Sequence, residues 1–411
     1  MEPTMGHSAI GHFLEIRVCP ERSRTGQLEI RLILVMPASH YHFHYHTPKM
    51  IFVFLLLLLS LILIYFSSAF NPALNAGENF SAVKGEVVEI LSERAVNEDA
   101  VTLIGAEREQ ELLVTLFDSN KQVKVRNDFT ALEVGDEIFA RPLIAAAGGE
   151  ETWEMVEVSR TKGIFWIALI FAALVILVSG KKGFNALVGL VFTFAVIFSF
   201  IIPQILYGRN AVLIALTGSL VILLATLYIS HGAGKKTLAA LLGIALTLLF
   251  VGIAAQIAVA GLNFTGFGSE EAAFLKQASG DKINFIGLLI AGVIIAAIGV
   301  LDDIAVTQAA TVFALAEANS GLAGWNLFRK AMDVGRDHIS AVINTLVLAY
   351  TGAALPLVLL FSSYQIAPGY AISAEVVAEE IIRTLISSAG LVLAVPITTG
   401  IAVVLGGRKV K

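Results

Sequence analysis

The sequence predicts a mainly α-helical polytopic membrane protein of about eight transmembrane helices. A small extracytoplasmic β-rich domain, barrel- or sandwich-like, is expected between the first helix and the second. Three observations carry this. The chain is 56% hydrophobic and 15% charged over 411 residues, more apolar than a soluble fold of that length can hide. Lysine and arginine gather at the ends of alternate apolar runs. And one segment, 71–160, breaks the apolar pattern with short alternating runs and turn residues.

Residues 1–48 show no sustained period and are expected to be a disordered N-terminal extension, with Met36 and Met50 as alternative starts. The extension ends in His40, His42, His44 and His46, a tract able to chelate a metal, although a disordered tail explains it equally simply. The run at 51–66, IFVFLLLLLSLILIYF, supplies the first span at 49–68; a cleaved signal peptide ending near Ser67-Ser68-Ala69 is the competing assignment.

Five strand-like runs follow: 83–91, 111–117, 121–125, 136–142 and 153–159. Asp118-Ser119-Asn120 and Val134-Gly135-Asp136 separate them as turns. From Glu78 to Arg160 there are 18 acidic and 8 basic residues, so the domain is acidic while the rest of the chain is slightly basic. Such a surface attracts cations or is simply well solvated.

A seven-helix membrane domain occupies 163–406, with spans near 163–179, 184–203, 211–229, 237–260, 284–313, 339–361 and 381–405. Lys181 and Lys182, Lys235 and Lys236, Arg329 to Arg336, and Arg408 to Lys411 close every second span. By the positive-inside rule these ends are cytoplasmic, both termini are inside, and the β domain is outside. Pro203, Pro356 and Pro396 mark kinks or helix ends, Pro396 being the one inside a span. Cys19 is the single cysteine, which excludes an intrachain disulfide and any CxxC site.

Few motifs carry chemistry. The HGAGKKT segment at 231–237 lacks the first glycine of a phosphate-binding loop, since position 229 is Ile. No HExxH, GxSxG or Ser-His-Asp spacing is found, so no enzyme and no cofactor are expected. The Asn79 and Asn263 glycosylation matches are read as chance.

Asp302 and Asp303 are different. They sit in a helix-compatible run, 283–319, in which 304–316 holds no charge. A carboxylate near the bilayer centre costs about 2.5–3.5 kcal/mol, so it marks a functional site by default. Two adjacent carboxyls in a low dielectric titrate as a coupled unit, which suits a proton carrier or a cation ligand. Asp303, Thr307 and Thr311 share one helical face with Gln308 at its margin, and Gly292 and Gly299 would let a neighbour pack closely. The competing expectation ends the helix at Leu301 and makes the aspartates an N-cap in the cytoplasm.

On the next span Asp337, Ser340, Asn344 and Thr351 form a polar stripe, expected to face a protein interior or a wet cavity. Glu379, Glu380 and Arg383 open the last span and are expected at the interface, with Arg383 reaching outward.

Three segments, HGAGKKTLAALLG, GVLDDIAVTQAATVFALAEAN and GRDHISAVINTLVLAYTGAALPL, make the chain similar to the YibE/YibF-like multi-pass membrane proteins over about residues 50–406. That resemblance implies the architecture above and no settled activity. More weakly, Gly299, Asp302 and Asp303, then Arg329 to Arg336, then Ser340 to Thr345 resemble the aspartate-bearing helix region of RND-superfamily permeases. The likeness implies proton coupling at Asp302 and Asp303 only. It departs in span number, in the size of the outer domain, and in lacking an intramembrane lysine.

The resulting expectation is a secondary transporter or permease subunit, an exporter, in the plasma membrane. It would couple protons or a cation to an unknown small solute, with Thr307, Gln308, Thr311, Asp337, Ser340, Asn344 and Thr351 along the path. The alternative is a non-transporting assembly or signalling protein whose outer domain binds a partner. The expected partners are the lipid bilayer and a second copy or a paralogous subunit, with no nucleic acid.

Overall fold

The computed structural model describes residues 15–22, 28–35, 82–95, 108–128, 130–143, 152–364 and 367–406. The first span at 49–68, the histidine tract at 40–46 and the basic C-terminus from Arg408 lie outside them. Within the extension expected to be disordered, β1 (Glu15–Arg22) and β2 (Leu28–Val35) form an antiparallel ribbon, Glu15 opposite Val35.

Five strands match the five runs of the acidic segment: β3 (Val83–Ala95), β4 (Arg108–Leu116), β5 (Gln122–Asn127), β6 (Glu137–Leu143) and β7 (Thr152–Val158). They close into a barrel in the order β3-β4-β5-β7-β6, with β6 returning to β3. All pairs are antiparallel except β5 with β7. This order, with its one parallel pair, is the topology of an OB-type barrel. Alternation fills it: Val123 and Val125 of β5 point inward beside Leu112, Val114 and Ile138. One end is plugged by polar groups. Gln110 accepts from the Leu132 amide at 2.9 Å and from Asn127 at 2.9 Å, so two buried amides hold the β5–β6 loop without an unmet donor.

The helices begin two residues after β7. Helix α1 (Thr161–Val196) runs through a π-turn at Ile197–Ile201 into a last turn, Ile202–Leu206, where Pro203 lacks the donor a regular turn needs. Gly180 breaks α1 with φ 56° and ψ −134°, a conformation open to glycine and strained for other residues. Its two parts correspond to the second and third expected spans, with Lys181 and Lys182 at the break. Then come α2 (Ala211–His231), α3 (Lys235–Gly261), the short amphipathic α4 (Glu270–Ser279), α5 (Phe285–Ala318), α6 (Gly324–Ala353), α7 (Leu355–Ser363), α8 (Pro368–Ser373) and α9 (Glu375–Gly406).

Side chains fix the helix starts. Asn210 accepts from the Val212 and Leu213 amides, Ser269 from Ala272, and Asn284 from Gly287 at 3.0 Å. Among the described residues, five helices are long and apolar enough to cross a membrane: α1 with its extension, α2, α3, α5 and α9. The seventh expected span is not one straight helix. α6 and α7 meet at 63°, because Pro356 cannot donate to Gly352 and its ring crowds that carbonyl.

Helix α5 is central, packed by α2, α3, α6 and α9. The close approaches are not at Gly292 and Gly299, as expected. A Cβ at Gly299 would meet nothing within 4 Å, and at Gly292 only an Arg383 nitrogen at 4.0 Å. Tight crossings include Gly243 against Thr398, and Gly390 against Val251 and Gly335 against Val395, where an added Cβ would come within 2.5 Å of a methyl group. Pro396 lies inside the continuous helix α9.

Candidate functional site at the middle of α5

Helix α5 does not stop at Leu301. It runs unbroken to Ala318, so Asp302 and Asp303 occupy the midpoint of a 34-residue helix, which at about 1.5 Å per residue spans some 51 Å. The N-cap alternative for the aspartates is therefore excluded, since Asn284 caps this helix.

The two aspartates part company in space. Asp302 is half-buried, and its Oδ1 is enclosed with no hydrogen-bond partner in the protein. Asp303 is exposed on the outside of the bundle, as is Thr307. Thr311 is half-buried and donates to the Thr307 carbonyl at 2.9 Å, which satisfies its hydroxyl within its own helix.

Gln308, by contrast, is 4% exposed and bridges three helices. Its Nε2 donates to the Ala331 carbonyl of α6 at 3.0 Å and to Thr399 Oγ1 of α9 at 2.7 Å. Thr399 in turn donates to the Val395 carbonyl at 2.6 Å. A path-lining residue would leave its amide free. Gln308 is fully engaged in holding α5, α6 and α9 together.

The stripe on α6 also lies elsewhere than expected. Asp337, Ser340, Asn344 and Thr351 are all exposed, because the side that α6 buries is Leu327, Ala331, Gly335 and Leu346. A glycine–alanine seam lets α6 approach Gln308 and Val395 closely, and that seam sets which face turns outward. Thr351 does border a cavity of 260 Å³ with Tyr350, Glu380 and Thr384.

Two groups that the sequence reading passed over come into view. The first is His338. Gln308 meets Ala331 and Gly335, and α5 and α6 run antiparallel. Six residues back along α5 and six forward along α6, about 9 Å in each, Asp302 is level with the turn carrying Asp337 and His338. His338 Nε2 is enclosed and, like Asp302 Oδ1, has no hydrogen-bond partner in the protein. Each of these two groups, an imidazole and a carboxyl, thus encloses one polar atom with no hydrogen-bond partner among the described residues. The sequence signal was present in the GRDH run at 335–338 but was overshadowed by Asp337.

The second group is at the start of α9. Arg383 does not reach outward as expected. Its Nη1 donates to Glu380 at 2.7 Å, its side chain is 29% exposed, and its enclosed Nε has no partner. Small Gly292 leaves it room against α5. About two turns earlier, Glu375 ties α9 to the loop that follows α3. It accepts from the Thr265 amide at 2.7 Å, the Thr265 hydroxyl at 2.9 Å and the Gly266 amide at 2.8 Å. Among the described residues, no three or more potential metal-ligating side chains cluster together.

No curated protein and no solved structure matches the chain. A family model does: residues 167–408, from the first turns of α1 to the end of α9, match the YibE/F-like proteins, with the barrel outside the match. That match covers more than half of the sequence and includes Asp302, Asp303, Gln308, His338 and Arg383, and on this ground the chain belongs to the YibE/F-like family.

Proposed function

We propose that the protein is a multi-pass permease of the plasma membrane, a secondary transporter working as an exporter, in which Asp302 takes up and releases a proton. In this reading the first span at 49–68 joins the α1–α9 bundle to give eight spans. Both termini are cytoplasmic and the barrel is outside. The observation that carries the proposal is Asp302 Oδ1, enclosed and without a hydrogen-bond partner among the described residues, at the middle of the central helix. A buried polar atom without a partner is costly, so its retention there has a use.

Among the described residues no three potential metal-ligating side chains gather, so a proton fits this site better than a multiply coordinated metal ion. Asp303, exposed beside Asp302, would pass the proton to or from the outer face of the helix. Likeness to RND permeases supports the coupling role by analogy at these two positions alone.

The test is reconstitution into liposomes with an internal pH dye. Asp302→Asn should abolish proton flux while leaving protein yield and thermal melting unchanged. Undiminished flux in Asp302→Asn would refute the mechanism.

One observation favours the second reading, a non-transporting assembly or signalling protein. The first half of α1 is exposed on every side, including Phe165, Trp166, Ile167 and Leu177. Among the described residues little packs on this half of α1, which leaves it available to further helices. If that reading holds, no proton flux appears in the wild type, and substitutions along 164–178 disrupt an assembly rather than a flux.

A further inference from the structure

The barrel carries a groove on the face built by β4 and β5 and bordered by the ends of β3, β6 and β7. Its volume is 880 Å³, near the upper end of the roughly 300–1,000 Å³ typical of ligand clefts, and so suits an oligomer better than a single small ion. In OB-type barrels this face, with the loops after the first and fourth strands, is where extended ligands bind. Topology alone shows no function, so the side chains must decide.

Charge is distributed unevenly over the domain. Of its 8 basic residues four, Arg94, Lys121, Lys124 and Arg126, line the groove, against three of its 18 acids, Glu93, Glu109 and Glu111. Four bases against three acids make the lining of this cleft slightly basic in a domain that is acidic as a whole. Arg126 pairs with Glu109 at 2.9 Å, but both are substantially exposed, and such a pair yields readily to a ligand. Arg94 and Lys124 have no ion-pair partner among the described residues.

Trp153 borders the groove but is 7% exposed and packs into the barrel core, so it shapes the groove's floor and is not a contact for a ligand.

We propose that this groove binds an anionic oligosaccharide, its carboxylates or phosphates held by Arg94, Lys121, Lys124 and Arg126. Gln122 and the three glutamates accept from or donate to its hydroxyls as their chemistry allows. Single-stranded nucleic acid fits less well, because base stacking needs exposed aromatic faces and Trp153 is buried. An acidic peptide would set its carboxylates against Glu93, Glu109 and Glu111 without bringing hydroxyl donors to them. The proposal is independent of transport and stands or falls apart from it.

Binding is measured on the full chain in detergent by anisotropy, with a labelled galacturonate hexamer and a labelled phosphorylated mannan oligosaccharide as the two anionic probes. Maltohexaose, a poly-glutamate peptide and an oligothymidylate serve as competitors. At least one anionic sugar should bind saturably and weaken as salt rises. The double variant Arg94→Glu/Lys124→Glu should weaken it by about tenfold or more, as loss of charge-assisted bonds implies. That double variant, changed only at exposed positions, should keep the melting curve of the wild type. Saturable binding of neither anionic sugar, stronger competition by the peptide or the oligonucleotide than by unlabelled anionic sugar, or unchanged affinity in the double variant would each overturn the proposal.

Discussion

Asp302 and Gln308 stand six residues apart on one helix and carry opposite physical roles. Gln308 spends both amide hydrogens on α6 and α9, whereas Asp302 encloses an oxygen with no partner. Their variants should therefore fail differently. Gln308→Leu removes the cross-helix bonds to the Ala331 carbonyl and the Thr399 hydroxyl and should cost about 0.5–1.5 kcal/mol, read as a lower melting temperature in detergent. Asp302→Asn should melt like the wild type and lose flux. Equal melting of the wild type and Gln308→Leu would deny the bridge, and a collapsed Asp302→Asn would make that aspartate a packing residue. The residue types were legible in the sequence, but their directions were not. A helical wheel places Asp303, Thr307 and Thr311 on one face, yet only the neighbouring helices decide that Asp303 and Thr307 are exposed and Thr311 half-buried. His338 escaped notice because its partner level is set by a contact between helices, which no local pattern encodes.

At the scale of elements, small residues decide how helices meet. Gly335 of α6 lies against Val395 Cγ1 of α9, where a Cβ would sit 2.5 Å away, and against Gln308 of α5. Gly335→Val should push α6 off the bundle, lowering both yield and melting temperature by breaking the Gln308 bridge as well as the packing. Val395→Ala, placed in the same protein, should recover part of the loss, which thermal melting of the single and double variants measures; no recovery would mean that the crowding lies elsewhere. Glycines on an apolar helix are easy to read as packing positions. Which of them pack is not, and here Gly335 and Gly390 do while Gly299 faces open space. Proline and strand period were more informative. Pro356 marks a real bend, and the five alternating runs became five strands, because both signals act within a few residues. Arg383 turned inward against expectation because Glu380 lies one turn before it and Gly292 opposite leaves space.

For the whole molecule, the ion pairs at the junction of barrel and bundle converge on one carboxylate. Glu137 of β6 is met by Lys84 of β3 and by Lys162 in the first turn of α1, each at 2.8 Å, and Lys84 also donates to Thr161 at 3.1 Å. The closing of a five-stranded barrel was legible only as five strands; its order was not, since β5 and β7 pair across the intervening β6. That order brings Lys84 and Glu137 side by side and directs both at the start of α1. Hydrogen bonds from Lys162 and Lys84 hold the Glu137 carboxyl below the usual carboxylate range. A carboxylate ionised more easily in the folded state than in the unfolded one adds stability above its unfolded pKa, about 4.3 for glutamate, and the gain disappears as the pH falls through the lower folded value. Glu137→Gln removes the charge at every pH. The melting temperatures of wild type and Glu137→Gln in detergent should therefore differ most near neutral pH and converge as the pH is lowered past about 4.3. High salt should shrink the difference at neutral pH, because both lysines are partly in solvent. A difference that stays constant from pH 7 to 3, a window about the unfolded glutamate value, would mean that Glu137 holds the junction by shape and not by charge.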